Sequence, residues 1–464
     1  MSDSPSLWQT IREAVRGSTA NLTEISIGRA VLLLAIPMVL EMLMESVFAI
    51  ADVFFVGRLG ADAVATVGIT ESLMTIIYAV AMGLGVGAAA TVARRIGERD
   101  PDGAAKAAAQ SIIFGLVMGA AIGTIAIFFA PEMLHLMGAS DEVVRTGSTF
   151  ARVMIGASGG VTLLFLINAV FRGAGDAATA MRVLWIANAI NIVLGPCLIF
   201  GLGPFPRMGV TGAAIGTSIG RWCGVLIQIY CLTRPAARVR LRWPHVRLDP
   251  HVMNGILRIS GSAMFQNFIG TVSYMAIVRV VASFGSAAVA GNTIGIRIIL
   301  FALLPAFGVS NAAVTLVGQN LGAGKPDRAE ASAWKAALYN SACMGAIGVV
   351  FLAFAPFLIA IFTNDPEVTL YGVQCLRTVS AGFLFYGYGL VLTASFNGAG
   401  DTRTPTLINL FCFWIVEIPL AWVLANPVGL GPRGAFIALS VGFSIMALVS
   451  AWIFRQGRWK THTV

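Results

Sequence analysis

The sequence predicts an all-α integral membrane protein, with twelve transmembrane helices in two pseudo-symmetric six-helix bundles. Three observations predict it. Apolar residues make up 57% of the chain and charged residues only 11%, with a mean hydropathy of +0.82. Apolar runs long enough to cross a bilayer recur about twelve times. Short motifs also return at one constant spacing, 225 positions apart (Gly60 to Gly285, for example). A length of 464 residues would otherwise suggest two or three soluble domains.

The runs fall near 29–56, 64–92, 107–129, 146–170, 180–202, 209–232, 254–283, 288–317, 334–362, 369–396, 405–425 and 434–454. Several exceed the roughly 20 residues that a span requires, so tilt and kinks are expected. Pro37, Pro196, Pro305 and Pro419 are the candidate kinks. Ahead of the first run, LWQTIREAVRG has the pattern of a short amphipathic helix lying on the membrane surface. A signal peptide is not expected, because residues 1–28 lack its charged start, apolar stretch and small-residue cleavage site.

Loop charge sets the orientation. Even-numbered loops and both tails hold about 22 of the 31 Lys and Arg, and odd-numbered loops about 5. Both termini are therefore expected in the cytoplasm, with the chain multi-pass in a bacterial-type inner membrane. The net charge of +9 is then a topology signal, and nucleic acid is not an expected partner. The longest loop, rich in Arg and Pro, divides the chain. The expected segments are an N-terminal segment 1–28, a first lobe 29–233, a linker 234–251, a second lobe 252–455 and a tail 456–464.

The lobes repeat each other. GERDPDGA matches GAGKPDRA, pairing Gly97 with Gly322 and Pro101 with Pro326, and FRGAGDAAT matches FNGAGDTRT, pairing Asp176 with Asp401. At this fixed offset Glu41 faces Gln266, Glu45 faces Gly270, Asp52 faces Ile277 and Glu417 faces Ile192. Six spans per half is an even number, so both halves enter from the same side and the pseudo-two-fold axis runs along the membrane normal.

The first run, Ala35 to Gly60, carries Glu41, Glu45 and Asp52 among apolar residues. At about 100° per residue, Glu45 lies roughly 40° from Glu41 and Asp52 roughly 20° from it, so the three share one narrow stripe. A single Asp at a helix centre costs roughly 2.5 to 3.5 kcal/mol on insertion scales. The stripe is therefore expected to face a water-filled cavity or a protein interior. Three charges cannot be carried cheaply there, so proton exchange at one of them is expected. Glu71, Asn188, Met44 and Phe48 are candidate cavity residues, the last two as adaptable walls for flat cationic substrates.

With its PMVLEMLMESVFAIADVFFVGRLG first helix, its FRGAGD and FNGAGD loops and its twelve spans in two repeats, the chain resembles the multidrug and toxic compound extrusion (MATE) family over nearly everything past residue 28. The resemblance implies export of cationic or aromatic small molecules by antiport against H⁺ or Na⁺, with two lobes rocking about a central path. It also implies a cation site in which Asp52 matches the first-helix acid and Thr217 the sixth-helix Thr. The fifth-helix motif N-x-x-x-D-P reads Asn191 to Pro196 with Gly195 in place of the acid. Asp52, Asn191 and Thr217 could thus hold Na⁺, but with one carboxylate missing, which favours H⁺. Glu45 would supply nearby negative charge. The acidic residues that some members place in the seventh and tenth helices read Gly270 and Tyr386 here.

Other residues have plainer readings. The intramembrane charges Arg279, Arg297 and Glu417 are expected to form structural ion pairs. The six cysteines read as small buried hydrophobes, and no His or Cys cluster has metal-ligand spacing. No cofactor and no enzymatic activity are expected. A monomer in the lipid bilayer, acting on small molecules, is the expected state. The rival within transporters is a flippase for lipid-linked saccharides, which would use Arg279 and Arg297 on pyrophosphate. An integral-membrane enzyme would need catalytic clusters at the span ends.

Overall fold

Apolar runs bounded by Gly, Pro and Asp become helices in the computed structural model, which describes residues 6–462 and, at 61 and 62, the backbone alone. Residues 1–5 of the expected N-terminal segment and 463–464 of the tail lie outside the described residues. The helices of the first half are α1 (Leu7–Arg16), α2 (Ile27–Gly57), α3 (Ala61–Gly97), α4 (Pro101–Leu136), α5 (Asp141–Gly156), α6 (Ser158–Gly173), α7 (Ala177–Phe200) and α8 (Val210–Thr233). Those of the second are α9 (Pro250–Ala282), α10 (Ser286–Gly322), α11 (Pro326–Ala360), α12 (Pro366–Ser380), α13 (Phe383–Gly398), α14 (Arg403–Asn409), α15 (Ile418–Ala425) and α16 (Pro432–Arg455). Between α14 and α15 the helix runs on through a π-helical turn, Leu410–Glu417. Among the described residues, 11 helices are long and apolar enough to span, with α5 and α6 (Asp141–Gly173) and α14 to α15 (Arg403–Ala425) each counting as one, or 12 if α12 and α13, bent by 56°, also count as one. This agrees with the twelve expected runs.

The duplicated motifs are helix punctuation. In GAGD, Gly175 and Gly400 take φ +81° and +85°, a region that only glycine enters without strain. The Asp that follows begins the next helix: Asp176 Oδ1 accepts from the Thr179 N–H, and Asp401 Oδ1 from that of Thr404. Pro101 and Pro326 open α4 and α11, at positions where no N–H is needed. Pro37, Pro196 and Pro305 lie within continuous helices. A break in helical backbone falls instead at Phe129, two residues before Pro131.

The chain forms two compact units. One holds Arg12–Thr19 and Leu40–Gly261, and the other holds Ala20–Val39 and everything from Ser262 on, with the residues through Ile11. In the first, α7 packs on α8, α3 on α6, and α4 on both α5 and α6. The basic linker is docked there: Gln110 of α4 donates to the carbonyls of His245 and Arg247 and accepts from the Asp249 N–H. In the second unit, α10 packs on α11, α12 and α13, and α16 on α13 and α15.

Close helix contacts give the true register of the repeat. A Cβ on Gly212 would lie 2.6 Å from the Leu198 carbonyl carbon, and one on Gly434 would lie 2.5 Å from that of Leu424. A Cβ on Gly220 would lie 3.3 Å from the Asn191 Cβ, and one on Gly442 would lie 3.2 Å from the Glu417 Cβ. Glu417 therefore stands in the place of Asn191. The constant offset had paired it with Ile192, but the π-helical turn shifts the helix by one residue ahead of Glu417.

Candidate functional site

The second part of α2 carries the three acids, and each meets a different environment. Glu41 is fully buried. Its Oε1 accepts from Arg172 Nη1 at 2.7 Å and from Asn168 Nδ2 at 3.0 Å. Gln228 of α8 in turn donates to Asn168 Oδ1 at 2.6 Å. Arg172, in the last turn of α6 where the FRGAGD motif begins, sends its side chain back among the helices and is 11% exposed.

One turn on, Glu45 accepts a two-pronged contact from Arg221 of α8, at 2.8 and 3.2 Å, and a third from Asn188 Nδ2 at 3.4 Å. Arg221 is 3% exposed and lies over the rings of Phe48 and Phe165, at 5.1 and 5.7 Å. The geometry of a planar guanidinium on a carboxylate suits it to a buried pair. Met44 is half-buried, and Phe48 has Arg221 on its ring. Glu41 and Glu45 thus carry their own counter-charges.

Asp52 has no such partner at bonding distance among the described residues. It lines a small cavity with Val67, Thr70, Glu71, Phe150 and Thr217, among others, with about 10 Å³ of room for a water centre. That is about the space of one water molecule. Thr217 Oγ1 accepts from Asn191 Nδ2 at 2.7 Å, which leaves its own proton free to point elsewhere. A Cβ on Gly195 would stand 3.8 Å from Asn191 Oδ1, an ordinary contact, so the missing carboxylate is not a matter of space for the side-chain root. The site combines one half-buried acid, a second acid at its edge, and hydroxyl and amide groups. Such a site can bind a proton or a single water, and through them respond to charge.

A profile of the MatE family matches residues 37–197 and again 262–423. The chain belongs to the MatE family. Its all-helical fold fits, since a MOP-superfamily transporter from Pyrococcus furiosus, described as having a binding pocket of reverse polarity, superposes with a TM-score of 0.88 at 26% identity, over 95% of this chain and 98% of that one. A probable multidrug resistance protein NorM from Thermotoga maritima is 25% identical over 94% of each chain. An FAD transporter from Shewanella oneidensis is 24% identical over 93% of this chain and 95% of its own. A MatE protein is a membrane transporter and not an enzyme.

Within the MatE fold, Asp52, Glu71 and Thr217 meet at one cavity, with Asn191 held on Thr217. Asn188 serves Glu45 instead. Sequence reading missed Arg172 and Arg221 as partners. The signal for Arg221 was there, because a lone Arg in mid-span demands an acid. The expected ion pairs of Arg279, Arg297 and Glu417 do not form among the described residues: both arginines are exposed, and Glu417 bonds to the hydroxyl of Ser273 at 2.7 Å.

Proposed function

We propose that the protein exports small cationic or aromatic compounds by antiport, driven by H⁺ in preference to Na⁺, with Asp52 as the coupling group. The observation that carries this is the division of labour on α2. Two of its acids are committed to arginines, while Asp52 faces a water-sized cavity with Glu71 and Thr217. Na⁺ wants several oxygen ligands, whereas a proton needs one carboxylate, and the carboxylate of the fifth-helix motif is missing at Gly195. An ionised Asp52 attracts either a proton or a cationic substrate, so the two compete for one negative region, and exchange follows if the empty state cannot change sides.

In this reading both termini face the cytoplasm, the membrane is a bacterial-type inner membrane, and the protomer works alone by alternating access. The test is uptake of a cationic dye by everted vesicles under an imposed pH or Na⁺ gradient. Transport in sodium-free medium that collapses when the pH gradient is dissipated supports H⁺. A requirement for Na⁺ with no response to pH overturns it.

A second reading, transport of an anionic aromatic compound, rests on Arg221 and its two aromatic neighbours and on the FAD-transporting relative. Against it, Arg221 spends two N–H groups on Glu45. FAD supplied in the same vesicle assay separates the two.

A further inference from the structure

Glu417 lies on the π-helical turn, 2% exposed, in the place that Asn191 holds in the other half. The neighbours have changed with it. Ile277 stands at the position of Asp52, and Leu439 at that of Thr217, by the register of Gly212 and Gly434. This half of the repeat therefore carries its buried mid-span acid on its fifth helix rather than its first; its other buried acid, Asp401, bonds to Thr404 at the start of α14.

The surroundings of that acid offer no counter-charge. From α9, Ser273 places its Oγ 2.7 Å from Glu417 Oε1 and 3.3 Å from the Phe413 carbonyl oxygen. From α16 comes Gly442, where a Cβ would lie 2.5 Å from Oε2, and that oxygen is buried with no hydrogen-bond partner. The titratable groups near enough to feel its charge are Tyr386 of α13 and Cys412 of its own helix, both neutral acids. Rings close the rest: Phe443 packs against Tyr386 at 4.3 Å and against Phe413 at 5.8 Å. No Lys, Arg or His comes within ion-pair distance among the described residues.

An ionised carboxylate there would have one hydroxyl to replace its hydration. The neutral acid is better served. Its O–H on Oε1 can donate to Ser273 Oγ, whose own O–H donates to the Phe413 carbonyl, and Oε2 becomes a carbonyl oxygen that tolerates lacking a donor. A metal cation finds only these few oxygens, with Gly442 closing the side of Oε2. Hydroxyl hydrogens can point either way, so the heavy-atom geometry accommodates this chain directly.

We propose that Glu417, Ser273 and the Phe413 carbonyl form a second proton-binding site, occupied in this conformation, pseudo-equivalent to the Asn191 position of the first half. The proton leaves to water when the π-helical turn relaxes and uncovers Oε1, and the carboxylate left behind is then hydrated. π-Helical turns recur at functional positions. The site stands independently of the role assigned to Asp52.

Infrared difference spectroscopy on the purified full-length protein tests this. Wild type at neutral pH should show a buried carboxylic-acid C=O band that Glu417→Gln removes, that Ser273→Ala shifts, and that Asp52→Asn leaves in place. On alkaline titration the Glu417→Gln protein should release one proton fewer per chain than wild type. Identical carboxylic-acid spectra for wild type and Glu417→Gln would overturn the proposal. Should Glu417→Gln not be recoverable, Ser273→Ala decides alone: a shifted band supports the site, and an unmoved band overturns it. Loss of transport in Asp52→Asn with this band intact would bear on the coupling role of Asp52 and not on Glu417.

Discussion

In the first half of the chain three acids on α2 enter the membrane with two largely buried arginines beside them, while in the second the buried mid-span acid Glu417 stands with none. Glu41 and Glu45 are held by Arg172 and Arg221 at 2.7 and 2.8 Å. Glu417 has a serine hydroxyl. The two solutions differ in what they commit. A buried ion pair fixes charge on both partners, and removing either one strands the other. A buried acid with hydroxyl and carbonyl neighbours is stable only while it is neutral, and so it remains free to change its charge when the surroundings open. Asp52 lies between these cases, with a cavity and a second acid at its edge.

The largest expected effect is at Arg221. Arg221→Leu strands Glu45 and should cost about 3–5 kcal/mol of stability, read as a lower thermal midpoint in detergent. Adding Glu45→Gln should restore most of it. Glu417→Gln should change the midpoint little, because the amide keeps the shape and the contact to Ser273. Equal losses for Arg221→Leu and Glu417→Gln would erase the distinction between the halves.

Asp52→Asn comes next. It keeps the volume and removes the titratable charge, so coupled dye transport should fall by about tenfold or more, a barrier change of about 1.4 kcal/mol, with the thermal midpoint unchanged. Undiminished transport by a normally expressed Asp52→Asn protein would show that the coupling group lies elsewhere.

Smaller effects sharpen the repeat. Gly442→Ala and Gly220→Ala should each cost about 1–3 kcal/mol through overpacking. In the first the added methyl meets the Glu417 side chain, and in the second it meets the Ala187 carbonyl oxygen, 2.6 Å away. Shortening the acid, Glu417→Ala, should therefore relieve Gly442→Ala, whereas nothing at Asn191 should relieve Gly220→Ala. The smallest effect is expected for the double variant Glu41→Gln with Arg172→Asn. It copies the pair Gln266 and Asn397, whose side chains exchange two hydrogen bonds of 3.1 Å. The double variant should stay within about 1 kcal/mol of wild type, and Arg172→Asn alone should cost several times that.

Much of this was legible in the sequence, because membrane helices must satisfy their own backbone and so announce themselves by length and composition. The spans were placed within several residues, and helical periodicity put Asp52 on the same face of α2 as Glu41 and Glu45. The partners of Glu41 and Glu45 were not legible. Which arginine reaches which acid depends on how α6 and α8 approach α2, and Arg172 looked like a loop residue until its side chain turned inward. The ungapped repeat also misplaced Glu417. A one-residue π-helical shift leaves no mark in hydropathy, and only the approach of Gly442 to Glu417 reveals it.

The correspondence between Glu41 with Arg172 and Gln266 with Asn397 also constrains how the duplicated gene could diverge. Each pair is matched in charge, but every single-residue step between them passes through a buried charge facing an amide, several times less favourable than either end. The interior of one lobe is in this sense a locked register of ancestry. Surface positions drift one residue at a time, whereas this position can change only when both partners change together or when a third group, such as Gln228 through Asn168, first shares the charge. An ancestral reconstruction that altered the two residues independently would be expected to yield a poorly expressed intermediate.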